Sequence, residues 1–172
     1  MKNRAFIIYG ILIIVVVIAG CAKSPVMQDG KQVTIFIVSD RGIKDTMEQN
    51  ERDDRNEVGE FMEVDLLKKL KNEGYIATVI RDRGQYVQGT AHYLLNVRID
   101  MLRLVGKASR FWLGHATGPT ILNIHYEAVG PNNRQFAYDD NDTTIRDWML
   151  APKALNERLV NRVNDSIIAK SK

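Results

Sequence analysis

The feature that most narrows what this chain can fold into is an uncharged apolar run, residues 5–20, that ends against Cys21, the only cysteine among 172 residues. With one thiol no disulfide forms within the chain, so whatever folds beyond the run must be held by burial and hydrogen bonding. Lys2 and Arg4 precede the run, Ile and Val fill most of residues 11–18, and the small Ala19 and Gly20 open the next peptide bond to a peptidase. That order is the three-zone order of a secretory signal. As a helix the run covers about 24 Å, short of a hydrocarbon core of about 30 Å. The pattern predicts a lipoprotein signal peptide over residues 1–20, cleavage between Gly20 and Cys21, and lipidation of Cys21 with palmitate-type acyl chains. An uncleaved anchor helix with an incidental cysteine is the alternative.

Losing residues 1–20 removes Lys2 and Arg4 and no acid, so 24 basic residues become 22 against 21 acidic ones. The mature chain is almost neutral and lacks the concentrated positive field of a nucleic-acid binder, so no nucleic-acid partner is expected. Membrane attachment then falls to the N-terminal acyl chains, since one chain holds only marginally and two or three hold firmly. Ala22 stands where an Asp would favour retention at the inner membrane of a Gram-negative cell. By that sorting rule the protein is expected at the outer membrane, facing the periplasm; in a single-membrane cell it is a cell-membrane lipoprotein. Ser24, Pro25, Asp29 and Gly30 make residues 21–32 a lipidated N-terminus and flexible tether, whose last ten residues reach about 18 Å.

Residues 33–172 have the size of a single domain with one core. The β-branched run from Val33 to Val38 predicts a central strand covered on both faces. After a charged, irregular stretch, the spacing becomes helical from Asp53 or Asp54: Val58, Phe61, Met62, Leu66 and Leu70 share a stripe, and Gly74 ends it. A strand from Tyr75 follows, able to lie parallel to the first. Tyr93, Leu95, Val97, Ile99 and Met101 then form the apolar side of a long alternating strand, and Leu122, Ile124, Tyr126 and Ala128 that of the next. Gly130 and Pro131 signal a turn into a last strand from Arg134. A final helix from about Pro152 carries Leu155, Leu159, Val163 and Ile167, widened by Val160 and Ile168. The expected fold is α/β of the α+β kind: a two-layer sandwich of about five strands in a mixed sheet with two main helices, in the order β-α-β-β-β-β-α.

Between the two long strands lie Gly106, Lys107, Ala108, Ser109, Arg110, Phe111, Trp112, Leu113, Gly114, His115, Ala116, Thr117 and Gly118. An alternating strand, Ser109 and Arg110, a short apolar trio, then Gly114, Ala116 and Gly118 before another strand and a C-terminal helix resembles the bacterial lipoprotein family catalogued as domain of unknown function 4410. The resemblance covers about residues 33–168; Trp112 and His115 depart from its pattern. It implies a compartment and a fold, and no reaction. Physically, Phe111, Trp112 and Leu113 either fold back to cap the core or project as an interaction loop, with Arg110, Phe111, Trp112, Gly114 and Gly118 its candidate residues. Such a loop would meet an envelope protein partner, other copies of the chain, or the membrane, Lys107 and Arg110 serving phosphate or acidic groups.

Catalytic patterns fail on their own chemistry. Ser109 and His115 lack a nucleophile elbow and an orienting carboxylate, and Gly106-Lys107 lacks the spacing of a phosphate loop. His92, His115 and His125 do not assemble a metal site by spacing, and His125 is expected on an outer sheet face near Asn123 and Glu127. Asp139, Asp140, Asn141 and Asp142 miss the glycine and glutamate of a calcium loop and predict a solvated turn. The mixed charges from Asp40 to Glu57 predict a solvated surface. No cofactor and no enzyme activity is expected. The sequence favours a non-enzymatic envelope accessory or interaction module; the alternatives are an oligomer-forming lipoprotein resembling the curli-secretion type of subunit, or a small hydrolase.

Overall fold

The computed structural model describes residues 23–104, 118–131 and 135–168. A small hairpin, β1 (Met27–Gln28) and β2 (Lys31–Gln32), precedes β3 (Thr34–Asp40), α1 (Gln49–Asn72), β4 (Ile76–Val79), β5 (His92–Arg103), β6 (Thr120–Val129), β7 (Gln135–Thr144) and α2 (Leu150–Ile168). The strands from β3 onward form one sheet in the order β4-β3-β5-β6-β7, with β3 parallel to both neighbours and β5-β6-β7 an antiparallel meander. This is the α+β sandwich that the periodicity predicts, in the predicted element order.

Both helices cover one sheet face. The α1 stripe buries Val58, Met62, Leu66 and Leu70, and α2 buries Leu155, Leu159, Val163 and Ile167, against Ile35, Ile37, Leu95, Val97, Leu122 and Ile124. Each such side chain contributes about 1.5–3 kcal/mol by leaving water, and truncating Leu159 to alanine would cost about 2–5 kcal/mol through the cavity left behind. Gly74 ends α1 at φ +94°. The Gly74 amide donates to the Lys71 carbonyl at 3.0 Å and the Tyr75 amide to the Leu70 carbonyl at 3.2 Å. That pairing is a Schellman closure, which requires the left-handed glycine.

Several expectations change on contact with the structure. α1 begins at Gln49, ahead of Asp53, and Glu48 before it makes no side-chain cap. Arg52 instead ties the preceding turn to the helix, donating to the Asp45 carbonyl at 2.6 Å and the Met47 carbonyl at 3.1 Å. Nor is the stretch from Asp40 to Glu57 uniformly solvated, because Arg55 is only 4% exposed. Asn156 faces inward, fully buried, donating to the Met62 carbonyl at 3.0 Å and to Asp65 Oδ2 at 2.9 Å. α2 starts two residues before Pro152, which still falls in its first turn, where a missing amide is tolerated. The Ile168 side chain lies outside the described residues.

β3 has helices on one face only. On the other, Phe36 packs edge-on to Tyr86 and His92, with ring centroids 5.5 Å apart in each pair. Met101 leaves the apolar side of β5 and is 45% exposed, because a bulge between Ile99 and Met101 shifts the alternation by one residue. Residues 139–142 are strand, not turn. Asp140 and Asp142 turn toward α2, where Arg158 Nε meets Asp140 Oδ2 and Nη1 meets Asp142 Oδ2, both at 2.9 Å, so their charges are neutralised in place.

The largest correction concerns residues 23–32, which do not form a free tether. Asp29 at φ 50° and Gly30 at φ 72° close a two-residue turn, and Met27 pairs with Gln32. Positive φ at both central positions matches the turn whose twist suits a tight hairpin. The hairpin is pinned to the domain: the Val26 amide donates to the Gly74 carbonyl at 3.1 Å, Gln32 Nε2 donates to the same oxygen at 3.1 Å, and the Tyr93 hydroxyl donates to Gln28 at 2.7 Å. Lys23 Nζ lies 2.6 Å from Glu73 Oε2.

Candidate functional site

The strand directions divide the domain into two poles. At one, Thr34 pairs with Ile76 and His92, Val129 pairs with Gln135, α1 ends, and the hairpin enters. At the other, Arg103 pairs with Ile121 and Thr120 with Thr144. At about 3.3 Å per residue the length of β5 separates these ends by roughly 36 Å. The segment 106–118 therefore leaves from the pole opposite the one where the chain enters. Of its candidate interaction residues, Arg110, Phe111, Trp112 and Gly114 lie outside the described residues, as do Ser109 and His115. Gly118 is described: its φ is +76°, and a Cβ there would meet Arg103 Nη2 at 3.3 Å. A side chain at that position would strain the backbone as well as crowd the guanidinium. Gly20 and Cys21 also lie outside the described residues.

The sheet face without helices carries a polar row built by register. Arg98 on β5 stands opposite His125 on β6, which stands opposite Asp139 on β7. His125 is thus on the outer face, as the alternation predicts, with its Nδ1 2.6 Å from Asp139 Oδ1. Arg98 Nε donates to Asp100 Oδ1 at 2.7 Å, and this hydrogen bond and charge hold the guanidinium protonated more firmly than usual. Arg83 and Asn96 both donate to Glu127 Oε2, at 2.6 and 3.2 Å, while the Asn96 side-chain oxygen Oδ1 is buried with no partner among the described residues. Val38, Asp40, Arg83, Asn96, Arg98, His125 and Glu127 line a hollow of about 210 Å³ on this face.

Asp100, His125 and Asp139 bring one potential metal-ligating atom each within 4.8 Å of one another. Histidine spacing could not show this, because the three residues come from three strands. Arg98 already supplies positive charge to Asp100, and Asp139 Oδ1 accepts from His125 when the ring carries its proton on Nδ1. Asp100 is thus held by an ion pair and Asp139 by a hydrogen bond within the protein. His125 and Asp139 also have the form of an oriented base, but among the described residues lining the hollow there is no serine, threonine or cysteine for such a base to activate.

At the pole where the chain enters, a second hollow of about 570 Å³ is lined by Tyr86, Gln88, Gly89, Thr90, Val129, Gly130 and Pro131. The same pole gathers Lys23, Lys31, Lys68, Lys69 and Lys71 against Asp29, Glu73 and, at the end of α2, Asp165. The free edge of the sheet at β7 is chemically closed along its second half. The Asn141 amide donates to Asp140 Oδ1 at 2.9 Å, the Thr143 amide to Asp142 Oδ1 at 2.7 Å, and Arg158 Nη2 takes the Asn141 carbonyl at 2.9 Å. Groups so occupied are withheld from strand pairing with another chain. Among the described residues no helix is long and apolar enough to cross a membrane.

No family model matches the chain, and no curated protein matches it significantly. Solved structures similar to it include a PelC dodecamer from Paraburkholderia phytofirmans, at 11% identity and a TM-score of 0.41 over 84% of this chain and 93% of that one. A minor lipoprotein from Acinetobacter baumannii aligns at 9% identity and a TM-score of 0.39, over 76% of this chain and 91% of that one. A neuraminyllactose-binding hemagglutinin homolog from Helicobacter pylori aligns at 14% identity and a TM-score of 0.32, over 90% and 89%. Likeness at these scores says nothing of what this chain does, and its function is read from its own residues.

Proposed function

We propose that the chain is a lipoprotein acylated at Cys21, attached to the outer membrane of a Gram-negative cell and facing the periplasm, where it acts as a non-enzymatic interaction module. The observation that carries this reading is the separation of the two poles. The N-terminal hairpin enters at one end of the sheet, and the segment bearing Arg110, Phe111 and Trp112 departs from the other. With the entering pole held at the bilayer, the strand ends that flank residues 105–117 face away from it, toward a space where proteins rather than the anchoring lipid are within reach. The resemblance to the family of domain of unknown function 4410 supports the compartment.

Crosslinking in intact cells followed by mass spectrometry tests the module. A heterologous partner crosslinked through residues 106–118, lost in an Arg110→Ala, Trp112→Ala variant of unchanged melting temperature, is the expected result. Contacts between identical chains alone would favour an assembly of copies instead, and failure of the variant to fold would make the trio a core cap. Turnover of ester or phosphoester substrates abolished by Ser109→Ala would contradict the non-enzymatic reading.

The occupied groups along β7 bear on the second reading, a self-assembling lipoprotein of the curli-secretion type. Since those edge groups are taken, copies would not extend the sheet along the second half of β7.

A further inference from the structure

We infer that the pole carrying Lys23 is a docking surface for the anionic headgroups of the membrane that holds Cys21, an inference that rests on acylation at that cysteine. Two peptide units separate Cys21 from Lys23, and a chain spans at most about 3.6 Å per residue, so the acylated residue lies within about 7 Å of Lys23. Lys23 is fixed on the domain by Glu73, and the hairpin after it by Gly74, Gln32 and Tyr93. The docked hairpin keeps the entering pole close to the acylated residue. A reach of about 7 Å is also shorter than the screening length of about 8 Å at physiological salt, so charges beside Lys23 act on the surface before salt screens them.

The chemistry of that pole fits an anionic surface. Lys31, Lys68 and Lys71 are exposed there, beside Lys69 in the last turn of α1. Complementing the negative end of the α1 dipole accounts for Lys69 and Lys71, but not for Lys31, which sits on the hairpin. At the same pole Met27 is 50% exposed on the hairpin beside Lys31, and Ile76 is 47% exposed at the start of β4, on the sheet face away from α1. An exposed apolar side chain at a lysine-bearing pole fits an interfacial contact. The near-zero charge of the whole mature chain hides this local excess. Each lysine beside an anionic leaflet strengthens the contact roughly fivefold.

The test uses the full acylated protein extracted from membranes, bound to vesicles of phosphatidylcholine with or without phosphatidylglycerol. An environment-sensitive dye is placed at Met27→Cys or, at the far pole, at Ile145→Cys, where the native residue is 61% exposed. Quenching by brominated lipid should be strong at position 27 and weak at 145, should grow with phosphatidylglycerol, and should be largely lost in a Lys31→Glu, Lys68→Glu, Lys71→Glu variant, in which the contact weakens by about a hundredfold or more, or in high salt. Sedimentation with the vesicles should persist in that variant, because the acyl chains hold it. Vesicle-bound protein quenched equally at both positions, or unaffected by phosphatidylglycerol and by charge reversal, would overturn the inference. Protein that fails to sediment at all would overturn acylation at Cys21 first, and the inference with it.

Discussion

Arg55 donates from Nη1 to the Ile99 carbonyl oxygen at 3.1 Å, tying α1 to the residue where β5 bulges. The same nitrogen donates to the Arg41 carbonyl at 3.0 Å, so one buried guanidinium satisfies two acceptors. Gly42 passes so close that a Cβ there would lie 2.1 Å from the Ile99 oxygen. Arg55→Ala strands both carbonyls and is expected to lower stability by about 3 kcal/mol, read as a fall in the urea midpoint at unchanged slope. A loss under about 1 kcal/mol would mean that water replaces the guanidinium.

Gly74→Ala should loosen the N-terminal hairpin before it unfolds the domain. Its φ of +94° disfavours a side chain, and a Cβ would lie 2.4 Å from the Ser24 carbonyl oxygen. We expect a loss of about 1–2 kcal/mol, with limited proteolysis cutting after Lys23 or Lys31 faster than elsewhere. An unchanged cleavage pattern would show that the hairpin is held by something other than its docking on Gly74.

Removing Arg158 should expose the edge of β7. Arg158→Ala frees the Asn141 carbonyl and leaves Asp140 and Asp142 without their cation. Because this guanidinium is partly exposed, the stability loss should be modest, about 1 kcal/mol. The sharper readout is association: size-exclusion profiles of the variant should become concentration-dependent where those of the native protein do not. A variant that elutes like the native protein at every concentration would show that the remaining groups suffice to close the edge.

The domain should lose stability steeply in alkali. Burial raises the hydroxyl pKa of Tyr75, Tyr126 and Tyr138 above the ordinary tyrosine range. Above pH about 10 the unfolded chain releases these protons while the folded chain keeps them, so their stabilisation is complete below that pH and declines as pH rises. The slope should approach about 1.4 kcal/mol per pH unit for each group, and Tyr126→Phe should reduce it by one such share. The Tyr126 hydroxyl is buried without a partner among the described residues, so that variant should lose little or nothing at neutral pH.

What the sequence makes legible follows from how local each signal is. Leu122, Ile124, Tyr126 and Ala128 allow one interpretation, because a period of two cannot be satisfied by a helix, and the steps from Leu155 to Ile167 allow only a helix. Arg55, Asn156 and Arg158 escape the same logic. Each is a polar residue whose partners lie elsewhere in the chain, and periodicity treats an inward polar side chain as an outward one. The grouping of Asp100, His125 and Asp139 depends on the register of three strands and on a bulge, neither of which a single strand displays. The hairpin at Asp29 and Gly30 is a different case. Asp-Gly between short flanks is a hairpin signal in its own right, but the same residues compose a tether, and only the docking on Gly74 separates the two.

The most direct test of the account is the intact mass of the native protein extracted from membranes. The account predicts a chain that begins at Cys21 and carries acyl chains, with the added mass lost in Cys21→Ser. A protein beginning at Met1, with a free thiol and the apolar run intact, would contradict it.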